Sequence, residues 1–224
     1  MRLGVTNMAM GTAYGAPCPC GRVHPPVKTE LLIGQGARRE LPGLVRQAGA
    51  RRVLVLYDAV THQLFGQPVE QAMEDGKQPV IHVSRLVLGS PGGPLEVDEE
   101  VLSLGRQAVE DGVDYIIGVG TGAINDLGKY LAAQYGLGYA SVATAPSMDG
   151  FSSPISAMMN GGVKVTLPSK APDGVIGDLV FLLSAPASLL SAGFGDILGK
   201  LTSLRDWEMA HLVLGEYWCR PTSE

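Results

Sequence analysis

The feature that most constrains the fold is an alternation of short apolar runs with longer segments of helical periodicity. Four segments read as strands: Arg51–Tyr57, Pro79–Val87, Asp114–Val119 and Tyr139–Ala143. The continuous apolar run of the first is typical of a strand buried on both faces. Helical patterns precede or separate them, around Glu40–Ala48 and over Thr61–Gly76, Val97–Asp111 and Ala123–Tyr135. This rhythm predicts right-handed crossovers and an α/β fold with a doubly wound parallel sheet.

The ends of the chain break this rhythm. Residues 1–27 carry four prolines and two cysteines without a regular period, and we interpret them as an irregular arm. The α/β domain is predicted over residues 28–184, with a hairpin from Ile155–Met159 and Gly162–Thr166 and a further strand over Gly174–Phe181. Residues 185–224 are helix-prone, with an expected interruption at AGFG, and they predict the beginning of a truncated helical domain. Such a truncation would leave apolar helix faces exposed.

The composition excludes several classes of protein. Charged residues make up 17% and hydrophobic residues 46% of the 224, which indicates a folded chain. The net charge of −5 gives no reason to expect nucleic acid or an anionic membrane as a partner. No apolar run approaches the roughly 20 residues of a membrane helix, and we identify no signal peptide, so a cytoplasmic location is predicted.

A glycine-rich turn follows the third predicted strand. Its residues are Gly118, Val119, Gly120, Thr121 and Gly122, placed where a strand ends and a helix begins. Backbone N–H groups and the positive end of the helix dipole suit a phosphate at such a place, and glycines would let a diphosphate approach closely. The spacing differs from G-x-G-x-x-G, because the third glycine comes one residue early. Alone, the turn is equally well interpreted as a tight connection.

Two later clusters favour a site. ATAPSMDGFSS, residues 143–153, follows the next strand, at the edge where open α/β sheets bind ligands. It offers several hydroxyls and the carboxylate of Asp149. AGFGD, residues 192–196, places Asp196 after two glycines. Either carboxylate could instead cap a turn or a helix, so both interpretations stay open.

The segments GVGTGAINDLGKYLA, SVATAPSMDGFSSP and SAGFGDILGKLTSLRDW, in this order, resemble the sn-glycerol-1-phosphate dehydrogenases. These enzymes are grouped with glycerol dehydrogenase, iron-containing alcohol dehydrogenases and dehydroquinate synthase. The resemblance runs from about Cys18 to the end of the sequence. It implies a Rossmann-like nucleotide-binding domain, an all-helical second domain, a cleft between them and a homodimer for the full-length protein.

The resemblance also implies roles for individual residues. NAD or NADP would be bound at three places: the glycine turn, the loop after the fourth predicted strand, and a carboxylate at the end of the first predicted strand. The residues are Gly118, Val119, Gly120, Thr121 and Gly122 in the turn, Thr144, Ala145, Pro146, Ser147 and Ser153 in the loop, and Asp58 after the first strand. Asp149 and Asp196 would be catalytic residues in contact with the substrate. Asp196 would also bind a divalent metal, zinc or nickel, that polarises the carbonyl of dihydroxyacetone phosphate during reduction to sn-glycerol 1-phosphate.

The same resemblance exposes a gap in the metal site. Two histidine ligands are expected after Asp196, and only His211 follows it. On one helix, 15 residues span roughly 22 Å at about 1.5 Å per residue, too far for both side chains to bind one ion. Either the sequence is a fragment, which we favour, or it belongs to a shortened relative that lost the metal. In both cases we expect little or no dehydrogenase activity from these residues alone.

Other functions remain open. Glycerol dehydrogenase or a dehydroquinate synthase-like enzyme would share the cofactor architecture, and a non-catalytic dinucleotide-binding module is the alternative from another class. The segment Cys18-Pro-Cys-Gly-Arg-Val-His24, with Cys219 as a distant fourth ligand, is a poor match to the C-x₂₋₄-C spacing of zinc sites. We interpret it as an ordered arm rather than a metal site.

Overall fold

The computed structural model describes residues 6–9, 17–24, 28–90, 93, 95–110 and 112–223. A seven-stranded sheet lies at the centre, in the order β1-β2-β9-β6-β5-β3-β4. Its strands are β1 (Thr6–Ala9), β2 (Glu30–Gly34), β3 (Arg52–Asp58), β4 (His82–Leu88), β5 (Tyr115–Gly120), β6 (Gly138–Ala143) and β9 (Gly174–Asp178). All neighbours pair in parallel except β1 and β2. The strands β7 (Ile155–Asn160) and β8 (Val163–Pro168) form a separate antiparallel hairpin.

Seven α-helices accompany the sheet in the described part of the chain: α1 (Leu41–Gln47), α2 (Ala59–Met73), α3 (Glu99–Glu110), α4 (Gly122–Tyr135), α5 (Leu179–Leu182), α6 (Ala187–Leu214) and α7 (Arg220–Ser223). None of the helices described is long and apolar enough to cross a membrane.

Both faces of the sheet are covered, which explains the continuous apolar runs. Val53, Val55 and Tyr57 of β3 pack in one cluster with residues of α1 and α2. Leu54 and Leu56, which alternate with them, pack in a second cluster with residues of α3 and α4. Successive side chains of a strand point to opposite faces, so a strand between two helical layers must be apolar throughout. The predicted doubly wound α/β fold is confirmed.

The order of connections creates a crevice at one place along the sheet. From β3 the chain passes through α2 to β4, and from β5 it passes through α4 to β6 on the other side. The two helices pack on opposite faces, so they diverge beyond the carboxyl ends of β3 and β5. Ligands of open α/β sheets bind at such a switch point.

Three local predictions were wrong. The arm of residues 1–27 is not wholly irregular, since Thr6–Ala9 forms strand β1 and pairs with β2. The sequence patterns predicted neither strand. Residues 1–5, 10–16 and 25–27 lie outside the described residues. The strand predicted over Gly174–Phe181 ends at Asp178, whose side chain caps α5 by accepting from the N–H of Val180. The third error concerns α6.

Helix α6 runs without interruption from Ala187 to Leu214, straight through the AGFG sequence. Tertiary contact overrides the low helix propensity of glycine here, because a Cβ on Gly193 would lie 1.9 Å from the carbonyl oxygen of Pro146. The expected exposure of apolar helix faces is confirmed. Exposed fractions of 60–76% are found for Leu190, Phe194, Leu201 and Leu212.

Candidate functional site

The candidate site is built at the carboxyl ends of three neighbouring strands. β3, β5 and β6 end at Asp58, Gly120 and Ala143, and the sheet order places them side by side. Because the strands are parallel, these ends meet at one edge, where the N–H of Thr144 donates to the carbonyl of Gly120 at 3.3 Å. The glycine turn and the ATAPSMDGFSS loop are thus brought together.

The amino terminus of α4 provides backbone donors at this edge. Thr121 is its N-cap residue, and no side chain there accepts from the first-turn N–H groups. Such groups have no partners within the helix, and together with the helix dipole they attract an anion. A cavity of about 360 Å³ opens beside Gly122, lined also by Asp126, Met158 and Lys164.

The three glycines of the turn have different physical roles. A Cβ on Gly118 would lie 2.5 Å from the hydroxyl of Tyr139, and one on Gly120 would lie 2.8 Å from Cβ of Ile124. These two glycines therefore let α4 pack closely on β5 and β6. A Cβ on Gly122 would meet nothing nearer than Sδ of Met148, at 3.8 Å. Of the three, only Gly122 leaves its Cβ position open to a ligand.

Asp58 has a structural role at the end of β3. Its Oδ1 accepts from the N–H of Thr61 at 2.8 Å, and the hydroxyl of Thr61 accepts from the N–H of Asp58 at 3.1 Å. This reciprocal pair is a capping box at the start of α2. The half-buried carboxylate still lies at the switch-point edge, so its predicted contact with an adenosine ribose stays a prediction.

Two buried residues of α4 support the loop after β6. The ammonium of Lys129, whose side chain is 1% exposed, donates to Oγ of Ser153 at 3.1 Å and to the carbonyls of Gly150 in the loop and Ile155 at the start of β7. It also pairs with Asp126 at 3.0 Å. A buried ammonium needs such partners, and here they are supplied by the loop itself.

The second support is the fully buried Asn125. Its Nδ2 donates to the carbonyl of Phe151 at 3.4 Å, and its Oδ1 accepts from the hydroxyl of Tyr139 at 3.0 Å. The segment INDLGK, part of the sequence that carried the family resemblance, therefore fixes the loop. Ser153, predicted to contact the cofactor, uses its hydroxyl within the loop, donating to the carbonyl of Gly150 at 2.9 Å.

The segment Thr144–Ser147 continues β6 beside the first turn of α4. Thr144 and Ala145 are buried, and Pro146 and Ser147 are half-buried. Helix α6 packs on this segment at Gly193, as the near contact with the Pro146 carbonyl shows. The close approach places the next turn of α6 against residue 149.

Two predicted carboxylates meet at that contact. The N–H of Asp149 donates to Oδ2 of Asp196 at 2.9 Å, and Nζ of Lys200 lies 2.8 Å from Oδ2 of Asp149. Asp196 lies inside α6, so the alternative that it caps a helix is wrong. Asp149 precedes a short 3₁₀ helix at Gly150–Ser152 but makes no capping hydrogen bond. Asp149 therefore holds the N-cap position of this helix, while its carboxylate pairs with Lys200.

The contacts favour the charged forms of Asp196 and Lys200. The hydrogen bond from the Asp149 backbone lowers the pKa of Asp196, and the nearby Lys200 acts in the same direction. The hydrogen bond with Asp149 raises the pKa of Lys200. Two carboxylates and one ammonium thus form a partly exposed, polar wall beside the loop.

A three-ligand metal site is not completed around Asp196. His211 follows on the same continuous helix, and its Nδ1 contacts the carbonyl of Glu216 at 2.6 Å. Among the described residues, the one group of three or more converging His, Cys, Asp or Glu side chains lies elsewhere, around Cys219. The residues described here supply one of the ligands implied by the resemblance, and they do not fit the metal by themselves.

Pattern reasoning missed two charged residues of the site. Lys129 and Lys200 both lie within the motifs GVGTGAINDLGKYLA and AGFGDILGK, each on a helix. Lys200 follows Asp196 by four residues, which places both on one helix face, and this spacing was the available signal. No pattern in the sequence indicated the role of Lys129, because its burial depends on the loop that folds over it.

Comparisons with known proteins identify the family of the chain. A family model described as iron-containing alcohol dehydrogenase matches residues 32–186. A curated glycerol-1-phosphate dehydrogenase (NAD(P)+) of Bacillus licheniformis is 37% identical over 208 residues, 92% of this chain and 51% of that protein. The enzyme of the same name from Sulfolobus acidocaldarius is 36% identical over 166 residues, 74% of this chain and 44% of that protein.

Solved structures support the fold. An iron-containing alcohol dehydrogenase from Thermococcus thioreducens superposes with a TM-score of 0.66 at 22% identity, over 78% of this chain and 51% of that one. A glycerol dehydrogenase from Schizosaccharomyces pombe gives 0.64 at 23% identity, over 76% and 42%. This chain spans about half the length of the curated relatives it matches.

Proposed function

The chain belongs to the iron-containing alcohol dehydrogenase family, and from this premise we propose that it supplies the nucleotide-binding part of a dehydrogenase. The reaction is the NAD(P)H-dependent reduction of dihydroxyacetone phosphate to sn-glycerol 1-phosphate. Relatives that bear the name glycerol-1-phosphate dehydrogenase support this substrate, at up to 37% identity. The TAPSMDGF loop carried the same resemblance in the sequence.

One observation carries the cofactor part of the proposal. The uncapped amino terminus of α4 and the loop Thr144–Ser147 lie together at the switch point of the sheet. In this proposal the N–H groups that follow Thr121 hold the diphosphate, and the missing Cβ of Gly122 permits its approach. Thr144 through Ser147 line the cofactor, and Asp58 faces the adenosine ribose. NAD and NADP are both compatible with these groups.

The substrate lies against the polar wall in this proposal. Asp149 and Asp196 contact the substrate, where a carboxylate can accept a hydrogen bond from its hydroxyl, and Lys200 adds a positive charge beside them. The divalent metal, zinc or nickel, would supply Lewis-acid polarisation of the carbonyl when bound. Of the ligands that the resemblance implies, Asp196 would be the one among the described residues. We therefore expect these residues alone to reduce dihydroxyacetone phosphate little or not at all.

The incomplete metal site favours one further candidate, a dinucleotide-binding module without catalysis. The two candidates share the cofactor edge, which is formed by the carboxyl ends of β3, β5 and β6. They differ in what Asp149, Asp196 and Lys200 do. In the enzyme proposal the cytoplasmic, full-length protein is a homodimer. In a non-catalytic module, the affinity for the dinucleotide need not change when the phosphorylated substrate is added.

Isothermal titration separates these functions. NADH and NADPH are each titrated into the chain, with and without dihydroxyacetone phosphate. We expect one dinucleotide site per chain, and tighter cofactor binding in the presence of substrate for the enzyme. Gly122→Val should weaken binding, since its side chain fills the approach to α4, while the exposed Lys28→Ala serves as control. If neither NADH nor NADPH bound, the proposal would be contradicted. If a dinucleotide bound with an affinity that dihydroxyacetone phosphate did not change, the non-catalytic module would be favoured.

A further inference from the structure

All three cysteines of the chain and one of its four histidines converge at a single place outside the site described above. Cys18, Cys20 and His24 belong to the amino-terminal segment, and Cys219 arrives from the far end of the described chain, 201 residues after Cys18. One potential ligand atom from each lies within 4.8 Å of every other. Cys219 is buried and the other three are half-buried.

Local backbone structure explains how the segment presents its side chains. Pro17 and Val23 form an isolated antiparallel β-bridge, which brings the two ends of the segment together. Within it the N–H of Gly21 donates to the carbonyl of Cys18 at 2.9 Å, and Gly21 has a φ of 83°. Glycine adopts this left-handed conformation without strain, so the chain turns tightly between Cys20 and His24. The C-x-C spacing, a poor match in the sequence, is compensated by this turn.

The distances between the ligand atoms match a tetrahedral ion site. Sγ of Cys18 lies 3.6 Å from Sγ of Cys219, and Nε2 of His24 lies 3.4 Å from Sγ of Cys20 and 3.3 Å from Sγ of Cys219. Zinc binds sulfur at about 2.3 Å and nitrogen at about 2.0–2.1 Å, so tetrahedral edges are about 3.8 Å and about 3.6 Å. A small expansion of the group would admit the ion. A disulfide would need sulfurs at about 2.05 Å.

The surroundings suit a negatively charged metal complex. Three thiolates and one Zn²⁺ carry a net charge of −1, and the hydroxyl of Tyr217 lies 3.1 Å from Sγ of Cys20, where it can donate. Arg22 places its guanidinium 3.4 Å from the ring centroid of Tyr217. Nε1 of Trp207 donates to the Tyr217 carbonyl at 2.6 Å, tying this support to α6. Groups of this kind around the ligands orient them and tune the metal.

We propose that Cys18, Cys20, His24 and Cys219 bind one structural Zn²⁺ that joins the amino-terminal segment to the residues after α6. A complete set of four protein ligands leaves no open position for a substrate, so the ion is structural rather than catalytic. Binding requires release of the thiol protons as the sulfur–zinc bonds form, with no change in oxidation state. The proposal stands independently of the dehydrogenase function, because none of its residues lies at the cofactor edge.

The test is the zinc content of the chain, purified under reducing conditions and without added metal, measured by elemental mass spectrometry. We expect one zinc per chain, retained by the control His82→Ala, whose histidine is exposed on β4, and lost by His24→Ala and by Cys219→Ser. A chelator should lower the melting temperature of the wild type and of the control alone. Asp196→Ala should keep its zinc, and loss there would assign the ion to α6 and overturn the proposal.

Cobalt substitution decides the question if the ligand variants fail to fold. The wild-type chain with Co²⁺ in place of zinc should show the intense visible absorption and thiolate charge-transfer bands of a tetrahedral cobalt–thiolate site. Two results would overturn the proposal. One is a chain that contains no metal, takes up none when reduced, and has three freely reactive thiols. The other is a disulfide between Cys18 and Cys219, recorded as the loss of two hydrogens in the intact mass.

Discussion

The loop after β6 is supported in different ways on its two sides. On the α4 side, Asn125 and Lys129 are buried, and both side chains donate hydrogen bonds to the loop. On the α6 side, the backbone of Gly193 packs against that of Pro146. The nearby side chains of Asp149 and Lys200 are 39% and 51% exposed.

The difference separates two kinds of site. The proposed cofactor edge is fixed by the sheet and by buried partners, so its geometry follows from the fold. The polar wall of Asp149, Asp196 and Lys200 is partly solvated, and α6, which carries two of these residues, has exposed apolar side chains. The following changes test this contrast, in order of decreasing expected effect.

Gly193→Ala should have the largest effect on stability. The new Cβ would collide with the backbone of Pro146, which cannot yield as a flexible side chain would, and we expect a loss of about 3 kcal/mol in the free energy of unfolding. Gly195→Ala, on the same helix with nothing within 4 Å, is the matched control and should gain about 0.5–1 kcal/mol. Urea denaturation measures both. Equal stability of the two variants would mean that α6 does not pack on the loop.

Lys129→Met should come next. The substitution keeps the length of the side chain but leaves the carbonyls of Gly150 and Ile155 without their donor, and we expect a loss of about 2–3 kcal/mol in the free energy of unfolding. Lys28→Met at an exposed position should change it by less than about 0.5 kcal/mol. Chemical denaturation of both variants is the measurement, and a neutral Lys129→Met would show that the loop does not depend on this ammonium.

The glycines of the turn should separate packing from ligand access. Gly120→Ala should destabilise the fold by about 1–2 kcal/mol, since its Cβ would press on Ile124. Gly122→Ala should leave the stability nearly unchanged, because its Cβ points to open space. Thermal melts of the two variants provide the comparison. If Gly122→Ala were the less stable variant, the assignment of Gly122 as the ligand-facing glycine would be contradicted.

Asp149→Asn should have the smallest effect on stability. The partly exposed ion pair with Lys200 contributes little, so the free energy of unfolding should change by less than about 0.5 kcal/mol. NADH affinity should also stay unchanged, while the effect of dihydroxyacetone phosphate on NADH binding should disappear. Denaturation and calorimetry on the same preparation test this. Weaker NADH binding would place Asp149 at the cofactor instead of the substrate.

Much of this arrangement could be predicted from the sequence. The apolar runs gave the parallel sheet because strands covered on both faces lose their alternation, and Asp149 and Asp196 were placed in one site by the resemblance. The role of Gly118 and Gly120 could not be foreseen, since it depends on Tyr139 and Ile124 packing behind them. For a similar reason the uninterrupted α6 was missed, and the grouping of Cys18 with Cys219 was considered but not favoured. Both depend on contacts between residues far apart in the chain.

The most direct test of the account is a titration of the isotope-labelled chain with NADH, followed by the shifts of its backbone amide resonances. We expect the largest shifts at Gly122, Ala123 and Ile124, where α4 begins, and in the loop from Thr144 to Ser147. Shifts concentrated at the opposite edge of the sheet, around Arg52 and His82, or no shifts at all, would contradict the placement of the dinucleotide at the switch point.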